Sequence, residues 1–302
     1  MLKLAKHYAY DYIGSMLDHH KQFDLNPSLH GNSVKQFFEF FKLGKKLPSM
    51  EFLREILACY AQLPYENISK IVKLHKDYTS PTRIRLPEEV MHDFAEHHLG
   101  GTCFSLTYFL QTILMDCGFI CYPFIAHMSR MNNAHCGLIV MVENRKYLAD
   151  PGYLLNQPME IHKDVRRISR SPHTGVELKF DPHDEFFYLF TFDQMQKKFR
   201  YKFQDRPLST DEFLKLWWES FYLPGMKGIC LTQVNEKGMI YIHNDFLLVQ
   251  NLHGKQKGTV RNIEHQILET FKISPDWVER ARTAIPDIIV QGQQHGYYRK
   301  SE

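Results

Sequence analysis

One cysteine of this chain lies where its thiol could act as a nucleophile. Cys103 follows two glycines, Gly100 and Gly101, and precedes a run of apolar residues at helical spacing. Unpaired amides and the positive end of the dipole at a helix amino terminus favour thiolate over thiol. The glycines have no Cβ, so they allow close backbone approach and leave room beside the sulfur for a carbonyl group. The competing interpretation is that Cys103 is a small buried apolar residue.

A histidine and an aspartate could complete such a site. His135 stands just before a predicted strand at 136–142, and Asp150 stands just after a predicted strand at 146–149. A short turn joins the two strands, so their distal ends are neighbours. A carboxylate on one imidazole nitrogen raises the basicity of the other, which could then take the thiol proton from Cys103. The three residues would support covalent acyl transfer or hydrolysis; the alternative is that His135 and Asp150 are ordinary polar residues at strand ends.

The elements that must position these residues are predicted from the spacing of apolar side chains. Helical spacing predicts helices at 33–41, 50–63, 88–98, 104–117, 209–221 and 263–271. Apolar and β-branched runs predict strands at 120–127, 136–142, 146–149, 176–180, 185–192, 199–203, 229–233, 239–243 and 246–252. The order predicts an α+β fold with helices first and a twisted sheet or small barrel near residues 119–205.

The composition argues against several classes of function. The chain has 302 residues, 44% apolar and 24% charged, as in a folded soluble protein. Lysine and arginine (37) exceed aspartate and glutamate (34) by only three and are scattered, so nucleic acid is not an expected partner. No apolar run is long enough to span a bilayer, and the start, MLKLAKHYAYDYIG, lacks the apolar core of a signal peptide. We therefore predict a cytoplasmic protein with no membrane partner.

The cysteine and histidine spacings favour neither a disulfide framework nor a metal site. Six cysteines in a chain of this length are too few for a disulfide scaffold, so we expect reduced thiols. No CxxC or HExxH motif occurs, and we predict no bound metal. Apart from Cys103, the cysteines lie within predicted helices or strands and are interpreted as packing residues: Cys59, Cys117, Cys121, Cys136 and Cys230.

Four segments in order carry a resemblance to a known family. Residues 64–68 (PYENI) resemble a Pro-Phe-Glu-Asn-Leu motif, and residues 100–104 (GGTCF) resemble an Arg-Gly-Gly-x-Cys-Phe nucleophile motif. Residues 134–140 resemble a strand that carries the histidine, and residues 147–150 (YLAD) resemble a strand that ends in the aspartate. The chain thus resembles the arylamine N-acetyltransferases over roughly residues 45–280.

The resemblance implies both a fold and an activity. It implies a helical domain at 1–118 that carries the nucleophile, a β-barrel domain at 119–207 that carries the histidine and aspartate, and an α/β lid at 208–302, around a core like that of papain-like cysteine enzymes. It also implies transfer of an acyl group from acetyl-coenzyme A, through an acyl-cysteine, to an arylamine, hydroxylamine or similar small acceptor.

The resemblance also implies roles for individual residues. Cys103, His135 and Asp150 would be catalytic. Gly152 would contact the coenzyme, because it lies in the turn after the aspartate. Aromatic residues that flank these positions in sequence are expected to line the acceptor pocket: Tyr65, Phe104, Phe124 and Tyr153.

Two departures from the family pattern concern the surroundings of the nucleophile. Leu99 stands where the family has an arginine, so Glu66 needs another partner, for which His98 is one candidate. Ser105 and Thr107 stand where the family has glutamate and asparagine, which removes polar groups that would support the site.

A third departure concerns the coenzyme. The sequence PGYLL at 151–155 replaces a glycine-rich turn that helps to receive the coenzyme diphosphate. Pro151 has no amide hydrogen and Tyr153 is bulky, so a backbone cradle for an anion is weakened. Two alternatives to acetyl transfer therefore stay open: a cysteine hydrolase or amide-forming enzyme of related fold that does not use coenzyme A, and a non-catalytic relative.

Overall fold

Helices make up the first part of the described chain. The computed structural model describes residues 25–76, 83–153, 155–171 and 173–294, so the start of the sequence at 1–14 lies outside the described residues. The helices are α1 (Gly31–Phe40), α2 (Met50–Tyr60), α3 (Ile68–Lys76), α4 (Pro87–His97) and α5 (Cys103–Asp116).

Four of these five helices are predicted from the sequence, within three residues at each end. Residue Ser49 caps α2, because its side chain accepts a hydrogen bond of 3.1 Å from the amide of Phe52. Helix α5 is buried along nearly all of its length, and it packs on α1, α4 and the first strands of the following sheet. The amino terminus of α5 is therefore held rigidly inside the molecule.

An antiparallel, nearly closed eight-stranded sheet follows the helices. Its strands are β2 (Ile120–Met128), β3 (Met131–Val142), β4 (Arg145–Ala149), β5 (Met159–Glu160), β6 (Arg167–Arg170), β7 (Gly175–Asp181), β8 (Phe186–Phe192) and β9 (Lys197–Phe203). Their order is β5-β4-β3-β2-β9-β8-β7-β6, and the two edge strands β5 and β6 contact each other. The predicted sheet or barrel is therefore confirmed. Strands β5 and β6 were not predicted, because they are only two and four residues long.

The last part of the described chain combines helices with a second sheet. It contains α6 (Thr210–Glu219), β10 (Cys230–Asn235), β11 (Gly238–His243), β12 (Phe246–Asn251), β13 (Gly254–Thr259), α7 (Ile263–Phe271) and α8 (Pro275–Gln294). The four strands continue from a short strand of the helical part, β1 (Tyr65–Glu66), which pairs with β10. The α+β fold class is confirmed, and the domain boundaries at 118/119 and 207/208 stay predictions.

Helices α3 and α8 were missing from the sequence prediction, and they pack on each other. Helix α3 contains β-branched residues, which lower helix propensity, so its stability comes from burial. Helix α8 contains Pro286, which usually ends a helix, and it buries one narrow stripe that includes Val278, Ala281 and Ile288. None of the helices in the described part of the chain is long and apolar enough to cross a membrane.

Candidate active site

The amino terminus of α5 presents the candidate nucleophile. Thr102 is the N-cap, and Cys103 is the first helical residue, with 7% of its surface exposed. A Cβ atom on Gly100 would lie 1.8 Å from the carbonyl oxygen of Pro64, and one on Gly101 would lie 2.4 Å from Ser105 Oγ. Gly100 therefore makes room for the segment at Pro64, and Gly101 makes room for Ser105 of α5. The expected space for a carbonyl group beside the sulfur stays a prediction.

His135 and Asp150 meet where β4 ends beside β3. His135 Nε2 lies 2.8 Å from Asp150 Oδ2, and both side chains are buried. Strands β3 and β4 are paired with Leu138 opposite Ala149, so Asp150 directly follows the paired residues. His135 lies within β3, which begins at Met131, rather than just before a strand as predicted.

Two further groups hold the Asp150 carboxylate. Its Oδ1 accepts a hydrogen bond of 3.1 Å from the amide of Tyr153, and its Oδ2 also accepts one from the hydroxyl of Tyr201 on β9. Asp150 has no exposed surface, so these bonds replace the water that an ionised carboxylate would otherwise need. Sequence reasoning missed the contact of Tyr201 with Asp150, because Tyr201 is 51 residues further along the chain.

The His135 ring bridges the carboxylate and the cysteine. Nε2 faces Asp150, which leaves Nδ1 for the hydrogen bond between His135 and Cys103. Burial lowers the pKa of His135, but the charge and hydrogen bond of Asp150, together with Cys103, raise it more strongly, to about 10. The imidazole is therefore held in its protonated form at neutral pH.

Several groups hold Cys103 as a thiolate. The interaction with the neighbouring Cys136 side chain is the largest influence and lowers the pKa of Cys103, whereas burial opposes it. The hydrogen bond and charge of His135, and then the charge of Lys70, lower it further, so that the pKa lies well below its usual value. Cys103 and His135 therefore form a thiolate–imidazolium pair.

Two of the groups that lower the pKa of Cys103 belong to residues that were not predicted to lie in the site. Lys70 lies on the unpredicted helix α3, and its Nζ donates hydrogen bonds of 3.0 and 2.7 Å to the carbonyl and hydroxyl oxygens of Ser220. Burial lowers the pKa of Lys70 to about 8. Cys136 follows His135 in the chain and was interpreted as a packing residue, but its thiol contacts Cys103. No local sequence signal distinguishes it from the other cysteines.

The four aromatic residues expected to line a pocket divide into two pairs. Tyr65 and Tyr153 are partly exposed and lie beside Cys103, and the Tyr153 ring meets the His135 ring edge-on at 5.1 Å. Phe104 packs parallel to Trp217 and Phe124 stacks on Phe203 at 4.2 Å, and neither has any exposed surface. The expectation for these two phenylalanines is corrected, because burial in the core stabilises large apolar rings more than exposure in a cleft.

The second sheet supplies another tyrosine that the sequence analysis missed. Tyr65 lies opposite Thr232, and Thr232 lies opposite Tyr241, so these side chains share one face of the sheet. Burial, with smaller influences of Cys103, Cys230, Tyr153 and Tyr241, raises the pKa of the Tyr65 phenol well above its usual value. Tyr65 and Tyr153 therefore lie beside the nucleophile, and Tyr241 lies near Tyr65 on the same face of the second sheet.

Glu66 is paired with Arg85 rather than with His98. Arg85 Nη1 lies 3.8 Å from Glu66 Oε1, and Nη2 donates a hydrogen bond of 2.7 Å to Asp93. The same Nη1 donates a bond of 2.8 Å to the carbonyl oxygen of Gly100. His98 is exposed at the end of α4 with a φ of 58°. The candidate partner is thus corrected, because the arginine missing at position 99 is replaced by one from a different segment.

The turn after Asp150 offers few amides to an anion. Pro151 has no amide hydrogen, the amide of Tyr153 is bonded to the Asp150 carboxylate, and the amide of Leu155 is bonded to the Asp150 carbonyl oxygen at 3.1 Å. A Cβ atom on Gly152 would lie 2.7 Å from His135 Cε1 and 3.0 Å from Cys103 Cβ. The donor set of this turn does not fit a diphosphate, and Gly152 packs against the reactive side chains.

Neither a metal cluster nor a disulfide occurs among the described residues. They contain no group of three or more histidine, cysteine, aspartate or glutamate side chains placed to hold a metal ion. All six cysteines fall within the described ranges, and each is a free thiol.

Comparisons with known proteins agree with this geometry. A family model described as N-acetyltransferase matches residues 49–278, and no curated protein matches the chain. The fold is similar to that of the arylamine N-acetyltransferase of Salmonella typhimurium, with a TM-score of 0.68 and 16% identity over 83% of this chain and 98% of the other.

Two further structures of the same kind are similar in fold. The arylamine N-acetyltransferase of Mycobacterium abscessus has a TM-score of 0.72 and 14% identity over 84% of this chain and 94% of the other. One from Bacillus cereus, described as having a unique Cys-His-Glu catalytic triad, has a TM-score of 0.62 and 19% identity over 80% of this chain and 98% of its own. The matched family model spans most of the sequence, and the fold agrees over 80–84% of the chain. This chain therefore belongs to the arylamine N-acetyltransferase family of enzymes.

Proposed function

We propose that this enzyme transfers an acetyl or similar acyl group from acetyl-coenzyme A, through an acyl-cysteine on Cys103, to an arylamine, hydroxylamine or similar small acceptor. The observation that carries the proposal is the Cys103 sulfur held as a thiolate against the His135–Asp150 pair at the start of α5. Membership of the family supports acyl transfer and a small-molecule acceptor.

In the first half of the proposed reaction, Cys103 takes the acyl group. The thiolate attacks the thioester carbonyl, a carbon–sulfur bond to Cys103 forms, and the bond to the coenzyme sulfur breaks. The departing coenzyme thiolate takes the proton from Nδ1 of His135. Asp150 stays ionised throughout and holds the ring, because its two oxygens accept hydrogen bonds from His135, Tyr201 and the amide of Tyr153.

In the second half, the acceptor receives the acyl group. Its nitrogen or oxygen attacks the acyl-cysteine carbonyl, and the bond to Cys103 breaks. His135, which is neutral after the first half, takes the proton that the acceptor loses, and this restores the thiolate–imidazolium pair. The proton thus leaves Nδ1 of His135 in the first half and returns to it in the second, while the Nε2 bond of 2.8 Å to Asp150 is kept.

We propose that tyrosine side chains, rather than phenylalanine side chains, contact the acceptor. Tyr65 of the helical part and Tyr153 of the turn after β4 lie beside Cys103, and Tyr241 of the second sheet lies near Tyr65. Each offers an aromatic face and a hydroxyl group, which suits a small aromatic amine or hydroxylamine. The proposed contact of Gly152 with the coenzyme is limited to its own amide, because the neighbouring amides are occupied.

We also propose that the enzyme acts in the cytoplasm. Cys103 and Cys136 lie in contact as free thiols. A reducing compartment keeps such a pair reduced and Cys103 free to accept an acyl group.

Mass spectrometry of the intact and digested enzyme tests the proposal. After incubation with acetyl-coenzyme A and no acceptor, we expect one acetyl group on the peptide that contains Cys103. The Cys103→Ser variant should gain none, and the control variant Cys59→Ser should behave as the wild type, since Cys59 lies on α2 in a different core cluster. Absence of acyl groups on Cys103 with several acyl thioesters, while iodoacetamide still alkylates it, would point instead to a hydrolase or amide-forming enzyme.

A further inference from the structure

A second thiol lies beside the proposed nucleophile, and Thr107 holds it there. Thr107 follows Cys103 by four residues on α5, so both side chains lie on one face of the helix. Thr107 Oγ1 donates a hydrogen bond of 3.3 Å to the carbonyl oxygen of Cys136 and accepts one of 3.5 Å from the Cys136 thiol. These contacts fix the β3 residue Cys136 against the same helical face, beside Cys103.

Acyl transfer uses only one of these two sulfur atoms. Cys103 is the thiolate, whereas burial and the neighbouring Cys103 raise the pKa of Cys136 well above its usual value, so that Cys136 keeps its proton. A thiolate in contact with a protonated thiol is the arrangement of a cysteine pair in which one sulfur is oxidised and the other resolves the product. Both thiols lie in one apolar cluster, which contains no other cysteine.

We propose that Cys103 and Cys136 form an oxidative modification site, at which a small hydroperoxide converts the two thiols into a reversible disulfide. The proposal rests on the placement of Cys103 and Cys136 on one face of α5, where Thr107 holds Cys136, and it does not require acyl transfer.

The first step oxidises Cys103. Its thiolate attacks the terminal oxygen of a hydroperoxide, ROOH, so that a sulfur–oxygen bond forms and the oxygen–oxygen bond breaks. The alkoxide that leaves takes the proton of the His135 imidazolium and departs as ROH. The Cys103 sulfur loses two electrons and becomes a sulfenic acid, and the peroxide gains them.

The second step closes the disulfide. The Cys136 sulfur attacks the Cys103 sulfur, the sulfur–oxygen bond breaks, and the released hydroxide combines with the Cys136 proton to form water. The two sulfur atoms must approach to about 2.05 Å, which requires rotation of both side chains. A dithiol reductant restores both thiols by two successive exchange steps.

The burial of the pair favours a small oxidant and a protective outcome. Cys103 is 7% exposed and Cys136 is not exposed at all, so the oxidant attacks Cys103 first, and hydrogen peroxide is the smallest hydroperoxide that can serve as the probe. A sulfenic acid that finds no thiol is oxidised further to sulfinic acid, which thiols do not reduce. Disulfide formation would therefore halt acyl transfer while keeping Cys103 recoverable.

Peptide mapping after peroxide treatment tests the proposal. The reduced enzyme is treated with hydrogen peroxide, quenched with an alkylating reagent and digested without reductant. We expect a disulfide-linked peptide pair joining Cys103 and Cys136, and its loss after dithiothreitol. A disulfide from Cys103 to any other cysteine, or sulfinic acid on Cys103 with no linked pair, would overturn the proposal.

Variants of Cys136 give a second readout. In Cys136→Ser and Cys136→Ala, Cys103 should accumulate sulfinic acid that dithiothreitol does not remove, whereas Cys59→Ser should form the disulfide as the wild type does. Equal recovery of the Cys103 thiol in both Cys136 variants and the wild type would contradict the proposal. The measured quantity is the mass of the Cys103 peptide, so this test of the disulfide does not depend on whether the enzyme transfers acetyl groups. If both variants fail to fold, the disulfide map of the wild type alone tests the proposal.

Discussion

At the scale of single residues, Cys103 and His135 already carry opposite charges before a substrate binds. The pKa of His135 is raised to about 10 by Asp150 and Cys103 against the effect of burial, while the pKa of Cys103 lies well below its usual value. The proton therefore already resides on the imidazole. From the sequence we expected His135 to take the thiol proton from Cys103; in the structure that transfer is complete in the resting enzyme.

The pH dependence of Cys103 alkylation follows from this ion pair. A thiol with a lowered pKa stays a thiolate as the pH falls, until the pH reaches that pKa. We expect the rate of alkylation of Cys103 by iodoacetamide, followed by peptide mass spectrometry, to be nearly unchanged between about pH 8 and about pH 6. Cys121, whose pKa burial raises to about 12, should react slowly throughout.

The Asp150→Asn variant is the matched control for the ion pair. Removing the carboxylate charge lowers the pKa of His135, so less positive charge remains beside Cys103 at neutral pH. Alkylation of Cys103 in this variant should therefore fall between about pH 8 and about pH 6. A wild-type rate that falls as steeply as that of an ordinary thiol would show that the pair is not formed.

Gly152 is expected to be essential for close packing at the site. A Cβ atom there would lie 2.7 Å from His135 Cε1 and 3.0 Å from Cys103 Cβ, so both side chains must move in Gly152→Ala. A misplacement of this size lowers kcat/KM on the order of 100-fold. In the control Gly258→Ala, the new Cβ meets open space, and kcat/KM should stay at the wild-type value. Equal kcat/KM for the two variants would refute the packing role.

At the scale of elements, Arg85 joins the segment before α4 to the double glycine and to β1. It is 3% exposed and contacts the buried carboxylates of Glu66 and Asp93. We expect Arg85→Met to destabilise the protein by about 3–5 kcal/mol, because it leaves these carboxylates buried without a cation. Urea unfolding of the variant measures this loss.

An exposed arginine provides the control for Arg85. Arg54 lies on the exposed face of α2, and Arg54→Met should change the free energy of unfolding by no more than about 0.5 kcal/mol. If Arg85→Met were no more destabilising than Arg54→Met, the account of how Glu66 is paired would be wrong.

The elements that carry strong local patterns are the ones that sequence reasoning predicted. Helix α5 has a continuous apolar pattern after a double glycine, and β3 and β4 are joined by a turn that brings His135 to Asp150. Helix α3 was missed because its β-branched residues weaken the helical signal, and α8 because Pro286 interrupts it. Packing of these two helices on each other stabilises both.

The supporting residues of the site could not be predicted in the same way. Tyr201, Tyr241, Arg85 and Cys136 act through contacts with residues distant in sequence. Such contacts depend on the register of the strands and on how the two sheets meet α5. The three candidate catalytic residues each have a local signal, whereas their partners become visible only in the assembled fold.

At the scale of the whole molecule, Asn67 links the first and last parts of the chain. Its Nδ2 donates hydrogen bonds of 2.8 and 2.7 Å to the carbonyl oxygens of Gly225 and Gly228, and its Oδ1 accepts one of 2.8 Å from the amide of Cys230. These bonds adjoin the pairing of β1 with β10 and so keep Tyr65 in place beside the second sheet.

Removal of the Asn67 side chain should loosen this connection. We expect Asn67→Ala to lower the free energy of unfolding by about 1–3 kcal/mol, because it leaves buried backbone groups unsatisfied. Hydrogen exchange should increase at the amide of Cys230 in particular. Asn132→Ala, a change at an exposed residue of β3, should have little effect on either measurement. Unchanged exchange at Cys230 in Asn67→Ala would contradict the proposed link.

The whole molecule brings three parts of the chain to one thiolate, and the central claim is that this sulfur carries the acyl group between two substrates. Rapid mixing with acetyl-coenzyme A in the absence of an acceptor tests this claim most directly. We predict a burst of free coenzyme thiol stoichiometric with the enzyme, and transfer of the acetyl group to an arylamine added after the coenzyme has been removed. Release of coenzyme only when donor and amine are present together would contradict it.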